Sequence, residues 1–499
     1  MGDAPKTSGD SLSRVVARGA GVTWVSGLAV QSILLVTYVG LARLAAPAVF
    51  GTFAAASILV TVGALFVESG MTSALVHRRD RIDEAAATAF VSTALGGLGL
   101  AVLSAALAPV VGLLFEGEDI TELAFAIAGV HILNSLTVVP NALLQRDFAY
   151  VRRAFVDPLW MGTYGGVAAV LLWAGWGPWA LVTATYAAAL VRAIVVWSLL
   201  RRRLPLRSAS FALWRELAAY GRHVLAGEFL RHAGVIAHTA GIGRFLGTTD
   251  LGQFNFGNQI ANQSGSPIVT ASANVLFPAF TRMTGDDARL TSAFKRALGS
   301  LAFLTVPVSL GFLAFGVPLA VLLLGDQWRA AGEVLSSLCL VGAALAFISI
   351  STELLKAIGR PQYLPRIHFL SALAPIVAVV TGVWFGIVVV GALTSVGLTL
   401  TAAFALWIAG RNIGVPFRAL LGVVARTFVV AAVVAATFFV FEREVVRASE
   451  RGTLVGLGLL AGEAAVAACA YVGLMRLAAP RTTTEFAAAV RHLRRRRDG

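Results

Sequence analysis

Long apolar stretches follow one another through almost the whole of this chain, and they dictate its solvent. A helix needs about 20 apolar residues to cross the hydrocarbon layer, and by that measure about fourteen spans occur. Of the 499 residues, 58% are hydrophobic and 13% charged, with a mean hydropathy of +0.80. A soluble domain carries roughly a quarter charged residues, so this chain is solvated by lipid. Backbone groups in hydrocarbon must be satisfied within their own segment. The expected fold class is therefore an all-α polytopic membrane protein with about fourteen transmembrane helices.

Charge fixes the expected orientation. Of 40 Lys and Arg, 32 fall in alternate connections and termini on one side. Arg43, Arg329, Arg443, Arg447 and Arg451 fall on the other, and Arg192, Arg231 and Arg244 lie within spans. That asymmetry follows the positive-inside rule and places both termini in the cytoplasm. The net charge of +14 therefore reports topology, and nucleic acid is not an expected partner. Cys339 and Cys469, the two cysteines, each sit in an apolar run and read as buried thiols; neither a disulfide framework nor a CxxC metal site is available.

Taken in order, residues 1–18 form a polar cytoplasmic N-terminus without the features of a cleavable signal. Residues 19–200 hold spans one to six. The connection after span three, FEGEDITE at 115–122, is acidic, and spans five and six meet at the Trp-rich turn 173–179. Residues 201–216 form a basic cytoplasmic linker, with a short interfacial helix expected around Trp214. Residues 217–410 hold spans seven to twelve, with Pro307 expected to kink span nine. Spans thirteen and fourteen fill 411–478, at about 419–441 and 453–475. A basic tail, 479–499, ends in RHLRRRR, which anchors topology or rests on anionic headgroups.

The chain also repeats itself. GLARLAAPAVFGTFA at 40–54 aligns at a constant offset of 201 with GIGRFLGTTDLGQFN at 241–255. Gly40 falls on Gly241, Arg43 on Arg244, Gly51 on Gly252 and Phe53 on Phe254. A fainter echo sets Tyr150 and Arg153 against Tyr363 and Arg366. An even number of spans separates the copies, so the repeat is parallel: two six-helix lobes followed by two further helices. Secondary transporters are commonly built this way, with substrate bound between the halves and access alternating.

Polar residues inside spans mark where such a site lies, because they are costly in hydrocarbon. Span seven carries Glu228, Arg231, His232, His238 and Arg244. Arg231, Gly234, His238 and Gly241 follow helical spacing and share one face, while Glu228 is placed to pair with Arg231 or His232. A cationic strip of this kind suits an anionic headgroup such as a diphosphate. The bland alternative is a Glu–Arg pair fixing register beside packed histidines, and for His238 a neutral, hydrogen-bonded core histidine. Arg43 and Arg244, equivalent in the repeat, either snorkel to the interface or touch substrate phosphate. Asn255, Asn258 and Asn262 form a neutral face on span eight that either binds sugar or joins helices. Gln31, Glu68, His131, Asn134, Glu353 and Glu463 stand as isolated intramembrane polar groups.

RLAAPAVFGTFA (43–54), LGQFNFGNQI (251–260), VLFPAFTRMTGDDARL (275–290), LLGDQWRAAG (323–332) and KAIGRP (356–361) occur in an order and spacing that resemble the polysaccharide transporter (Wzx-type) flippases. These belong to the multidrug/oligosaccharidyl-lipid/polysaccharide exporter superfamily, and the resemblance covers roughly 15–425. It implies two six-helix lobes plus two extra helices around a V-shaped cavity, as in the drug exporters of the superfamily. The implied activity is movement of polyprenyl-diphosphate-linked oligosaccharide to the outer leaflet of the bacterial cytoplasmic membrane, for surface polysaccharide or lipopolysaccharide synthesis. The lipid bilayer, the lipid-linked substrate, a polysaccharide polymerase and chain-length machinery are the implied partners. On this reading Arg231, His232, His238, Arg244 and Arg43 form the cationic part of the site. Asn255, Asn258, Asn262 and Glu228 form its polar part. Relatives often have an acidic residue where His238 stands, so carboxylate-based ion coupling is not expected at this position. No GxxxxGK[ST] occurs, and neither cofactor, metal nor catalytic residue is expected. The alternatives are a drug or cation exporter, a peptidoglycan-precursor flippase and, from another class, a membrane glycosyltransferase or polymerase. The last needs a large outer loop holding catalytic acids, and the outer connections here are about ten residues or shorter.

Overall fold

A computed structural model describes residues 27, 29–64, 66, 75, 80–115, 117, 119–146, 154–200, 204–480 and 483, with side chains not described at 217, 219–231 and 264–275. The N-terminus 1–18, Glu68, Tyr150, Arg153 and the basic tail 491–497 lie outside the described residues, as do the side chains of Glu228 and Arg231. Among the described residues the chain is helical throughout its spans and contains no strand. It divides into two compact units, Met1–Phe229 and Leu230–Gly499.

In the first unit, α1 (Ala29–Leu44) and α2 (Pro47–Ala56) meet at 115° across a two-residue break. Pro47 opens α2, where its fixed φ and missing N–H are tolerated. A helical run from 58 to 64 follows. Then come α3 (Ile82–Phe115), α4 (Ile120–Ala128), α5 (Val130–Arg146), α6 (Val156–Trp173) and α7 (Pro178–Leu199). α3 packs on α4 and α5, α6 on α7, and α5 on α7. Alanines dominate these contacts: Ala168, Ala180 and Ala184 are fully buried with Leu41 and Leu181. Small residues let lipid-embedded helices approach closely, since apolar burial alone gives them no preference for one another over lipid.

α8 (Phe211–Phe245) bridges the boundary between the units. The second unit continues with α9 (Thr248–Thr281), α10 (Asp287–Leu324), α11 (Arg329–Ser337), α12 (Val341–Ala357), α13 (Leu364–Gly382) and α14 (Ile387–Asn412), then α15 (Phe417–Phe441) and α16 (Thr453–Ala478). α9 packs on α12, α13 on α14, and α12 on α14. α15 and α16 pack on each other and on α10. Leu113, Leu400 and Leu454 stand 66–86% exposed, the pattern of side chains that face lipid.

Two features show the repeat in the backbone. α1 ends at Leu44 and α2 starts at Pro47; α8 ends at Phe245 and α9 starts at Thr248, the same offset of 201. Spans four and ten are each broken into a helix of 9 residues and a helix of 17, α4–α5 and α11–α12. Three boundaries differ from the sequence reading. The second helix starts at Pro47, not Phe50. Trp214 belongs to the first turn of the unbroken α8 and not to a separate interfacial helix. α10 starts at Asp287, inside the segment read as a loop, because the Asp286 carboxylate accepts the Arg289 N–H at 3.0 Å and caps it.

Nine helical stretches among the described residues are long and apolar enough to cross a membrane, or ten with the bent pair α1–α2. The expected count of about fourteen also takes in the run from 58, α6, α8 and α9. Of these α8 and α9 are long enough to cross but miss that standard of apolarity, and they carry the candidate site.

Candidate functional site

α8 reaches the site as one uninterrupted helix. Its face Gly234–His238–Gly241 is packed against protein: a Cβ at Gly234 would lie 2.5 Å from Pro375 Cγ, and one at Gly241 would overlap Val379. His238 is 6% exposed. Its Nε2 lies 3.3 Å from the Thr394 hydroxyl, which donates to the Val390 carbonyl at 2.8 Å and so accepts the ring N–H. Phe254 covers the imidazole, with ring centres 4.6 Å apart. The structure thus places His238 in the packing between α8, α9 and α14. His232 is half-buried; Arg244, in the last turn of α8, is exposed. Arg43 is exposed in the last turn of α1.

α9 sorts its polar residues onto two faces. Asn255, Asn258 and Asn262 are half-buried. Asn262 Nδ2 donates to the Asn258 backbone carbonyl at 2.9 Å and to Asn258 Oδ1 at 3.0 Å. This i, i+4 bond leaves the Asn258 amide donors and the Asn262 carbonyl oxygen for other partners. The opposite face is closed by structure. Gln253, 5% exposed, donates to the Gln327 carbonyl at 2.6 Å and accepts the Ala331 N–H at 2.8 Å. Phe256 packs against Trp328 in a tilted pair with ring centres 4.1 Å apart.

Gln253 escaped the sequence reading because its bonds reach an outer turn more than seventy residues away. It pins α9 to the start of α11. Gln253→Leu is expected to destabilise the chain by about 2–4 kcal/mol, since it strands a buried donor and a buried acceptor. Thermal unfolding in detergent checks this; a melting temperature equal to wild type would show that both groups find other partners.

The structure also repositions the isolated polar groups. His131 bonds Ser104 Oγ at 3.2 Å, and Glu353, 8% exposed, accepts from Lys356 Nζ at 2.8 Å. Glu463 faces Glu442, which the sequence placed in an outer connection.

α8 and α9, both too polar for plain lipid-facing spans, thus meet across the two-residue break 246–247, with Arg244 in the last turn of α8. Residues 40–333 match the model of a family described as polysaccharide biosynthesis protein. The chain belongs to that family. Among its relatives, the succinoglycan biosynthesis transport protein ExoT of Rhizobium meliloti is 27% identical over 440 residues, covering 85% of this chain and 86% of its own. The teichuronic acid biosynthesis protein TuaB of Bacillus subtilis is 21% identical over 354 residues, covering 70% and 73%. Among solved structures, the lipid II flippase MurJ in an inward closed conformation superposes with a TM-score of 0.70 at 11% identity. It covers 92% of this chain and 99% of that one. At that identity the likeness concerns the fold. The family, the relatives and the fold agree on a multi-pass membrane transporter of polysaccharide biosynthesis.

Proposed function

We propose that this family member flips polyprenyl-diphosphate-linked oligosaccharide units from the inner to the outer leaflet of the bacterial cytoplasmic membrane by alternating access. The observation that carries the reading is the match across 40–333, together with a relative named for transport that aligns over 85% of the chain. Fourteen spans are arranged as two six-helix lobes, 19–200 and 217–410, joined by the basic linker 201–216 and followed by two accessory helices. Both termini lie in the cytoplasm.

Chemistry divides the work among the site residues. The diphosphate brings the charge that hydrocarbon most strongly rejects, and arginine matches phosphate oxygens in pairs. Arg231 takes the diphosphate, with Glu228 and His232 setting its position, and Arg43 and Arg244 receive it toward the outer ends of their helices. The amides of Asn255, Asn258 and Asn262 contact sugar hydroxyls. His238, bonded to Thr394 and covered by Phe254, holds α8 in place beside them. The lipid tail stays in the bilayer throughout. An ion gradient or the membrane potential drives the cycle, and polymerase and chain-length machinery take the product on the outer side.

The test is a reconstituted flipping assay with a short-chain polyprenyl-diphosphate sugar, scored by the outer-leaflet fraction against empty vesicles. Wild type is expected to move the lipid at least tenfold faster than empty vesicles. If it moves lipid II equally well, the peptidoglycan precursor joins its substrates. If it moves no lipid-linked sugar but exports small organic cations, the chain is a drug exporter and the reading fails.

A further inference from the structure

The accessory helices α15 and α16 meet around two acidic side chains that the transport site does not use. α15 gives way to a π-turn, Glu442–Val446, then to left-handed Arg447 and a short 3-10 turn. Glu442 in that turn is 6% exposed, and Glu463, well inside α16, is 7% exposed. Their carboxyl groups face each other within hydrogen-bonding reach. Glu442 Oε1 accepts the Ala448 N–H at 2.9 Å. The other three oxygens, Glu442 Oε2 and both of Glu463, are buried without any protein donor.

Among the described residues no cationic side chain bonds these three oxygens. Leu322, Val446, Ala448 and Leu460 form an apolar core beside the pair. The outer half of α10, residues 312–324, carries no charge. Arg329, Glu333, Arg443, Arg447 and Glu450 line the same cavity as Glu442, of about 620 Å³; Arg443 is exposed, and Arg329 and Arg447 bond other groups. Arg329 pairs with Asp326 at 2.8 Å, Arg447 donates to the Arg443 carbonyl at 3.3 Å and Arg451 to the Val446 carbonyl at 2.8 Å. Glu444 is exposed. Tyr471, two turns deeper on α16, donates to the Phe303 carbonyl at 3.0 Å.

Two facing carboxylates are acceptor-only groups that repel each other, most strongly where water is excluded. One proton between them turns an acceptor into a donor and replaces that repulsion with a short O–H···O⁻ hydrogen bond. Three oxygens without a donor among the described residues call for one. We propose that Glu442 and Glu463 form a proton-binding site that takes up one proton between their carboxyl groups. Hydronium arriving through the cavity at Glu442 leaves its proton on the pair and departs as water. The charge of the α15–α16 hairpin therefore changes by one unit with proton occupancy. The inference stands on these two helices alone and does not rest on the transported substrate.

Infrared difference spectra of the full chain in nanodiscs, taken between mildly acidic and strongly alkaline buffer, test it. Wild type should show the carbonyl band of a protonated carboxylic acid that shifts in D₂O, shifts with ¹³C-glutamate and is lost on alkalinisation. Glu442→Gln and Glu463→Gln should each remove the band. Glu463→Asp, which keeps the acid, should move its frequency. The labelled wild type tests the idea even where a variant folds poorly. Absence of the band in wild type, or its persistence unchanged in both Gln variants, overturns the proposal. So does a wild type that lacks the band but melts higher in sodium chloride than in potassium chloride, since a metal cation would then hold the site.

Discussion

Replacing Arg231 with alanine is expected to slow flipping of a polyprenyl-diphosphate sugar by about 100-fold, while Arg231→Lys keeps a part of the rate. The magnitude follows from the loss of one charge-assisted contact, worth up to about 3 kcal/mol. Lysine retains the charge but not the planar fork that meets two phosphate oxygens together. His232, the neighbouring residue, carries no planar fork and so does not replace the guanidinium. His238 is bonded through Nε2 to Thr394 and packed edge-on with Phe254, and Arg244 lies more than three turns further along the helix. α8 runs unbroken through position 231, so truncating its side chain should leave the helix intact. Initial rates in vesicles, normalised to protein inserted and compared with Arg244→Ala, measure the effect. If both Arg231 variants flip at the wild-type rate, Arg231 serves packing and the cationic site must be sought elsewhere.

Much of the fold was legible because the membrane makes local sequence decisive. Among the described residues the long apolar runs are helical, and the accessory helices at 417–441 and 453–478 start and end within about three residues of their sequence-based bounds. The turn 173–179 was legible from Gly175 and Gly177, both with positive φ, followed by Pro178 at a helix start. The repeat was legible at 40–54 and 241–255 because a helix end and a helix start need the same punctuation twice. The break in span ten was not, since residues 338–340 read Leu-Cys-Leu, with no helix breaker. Distant hydroxyls hold it open: Ser395 Oγ donates to the Ser337 carbonyl at 2.8 Å, and Ser309 Oγ accepts the Ala343 N–H at 3.0 Å. Those bonds satisfy the orphaned backbone groups of two helix ends from 58 and 34 residues away. The same limit hid Gln253 and the Glu442–Glu463 pair: a single-span reading sees each polar residue as solitary, while its partner arrives from another helix. Charge and spacing did single out α8 and α9 as the most polar of the long helices, because intramembrane arginine and histidine are conspicuous wherever they stand.

Gly332→Val is expected to cost the second unit about 3 kcal/mol or more, the upper range for forcing bulk into a closed contact. α11 folds back on α10 through glycines on both helices. A Cβ at Gly332 would lie 2.6 Å from Val317 Cα, 2.9 Å from the Gly316 carbonyl and 3.0 Å from Ala320 Cβ. Two of those atoms are backbone, so no side chain can swing aside and the helices themselves must part. Parting them also stretches the bond of Ser336 Oγ to the Phe312 carbonyl on α10, now 2.9 Å. It pulls as well at the Gln253 bridge to Ala331, one residue away. Gly332→Ala should show a smaller loss of the same origin. Gly311→Ala, on α10 where an added Cβ meets nothing within 4 Å, should be neutral or stabilising by about 1 kcal/mol, because alanine favours the helix. The three variants differ by one to three carbons within a single helix pair, so composition and membrane insertion are held nearly constant. Melting curves of the purified chains in one detergent give the order Gly311→Ala, Gly332→Ala, Gly332→Val from most to least stable. Equal melting of Gly332→Val and Gly311→Ala would mean that α10 and α11 do not approach at Gly332.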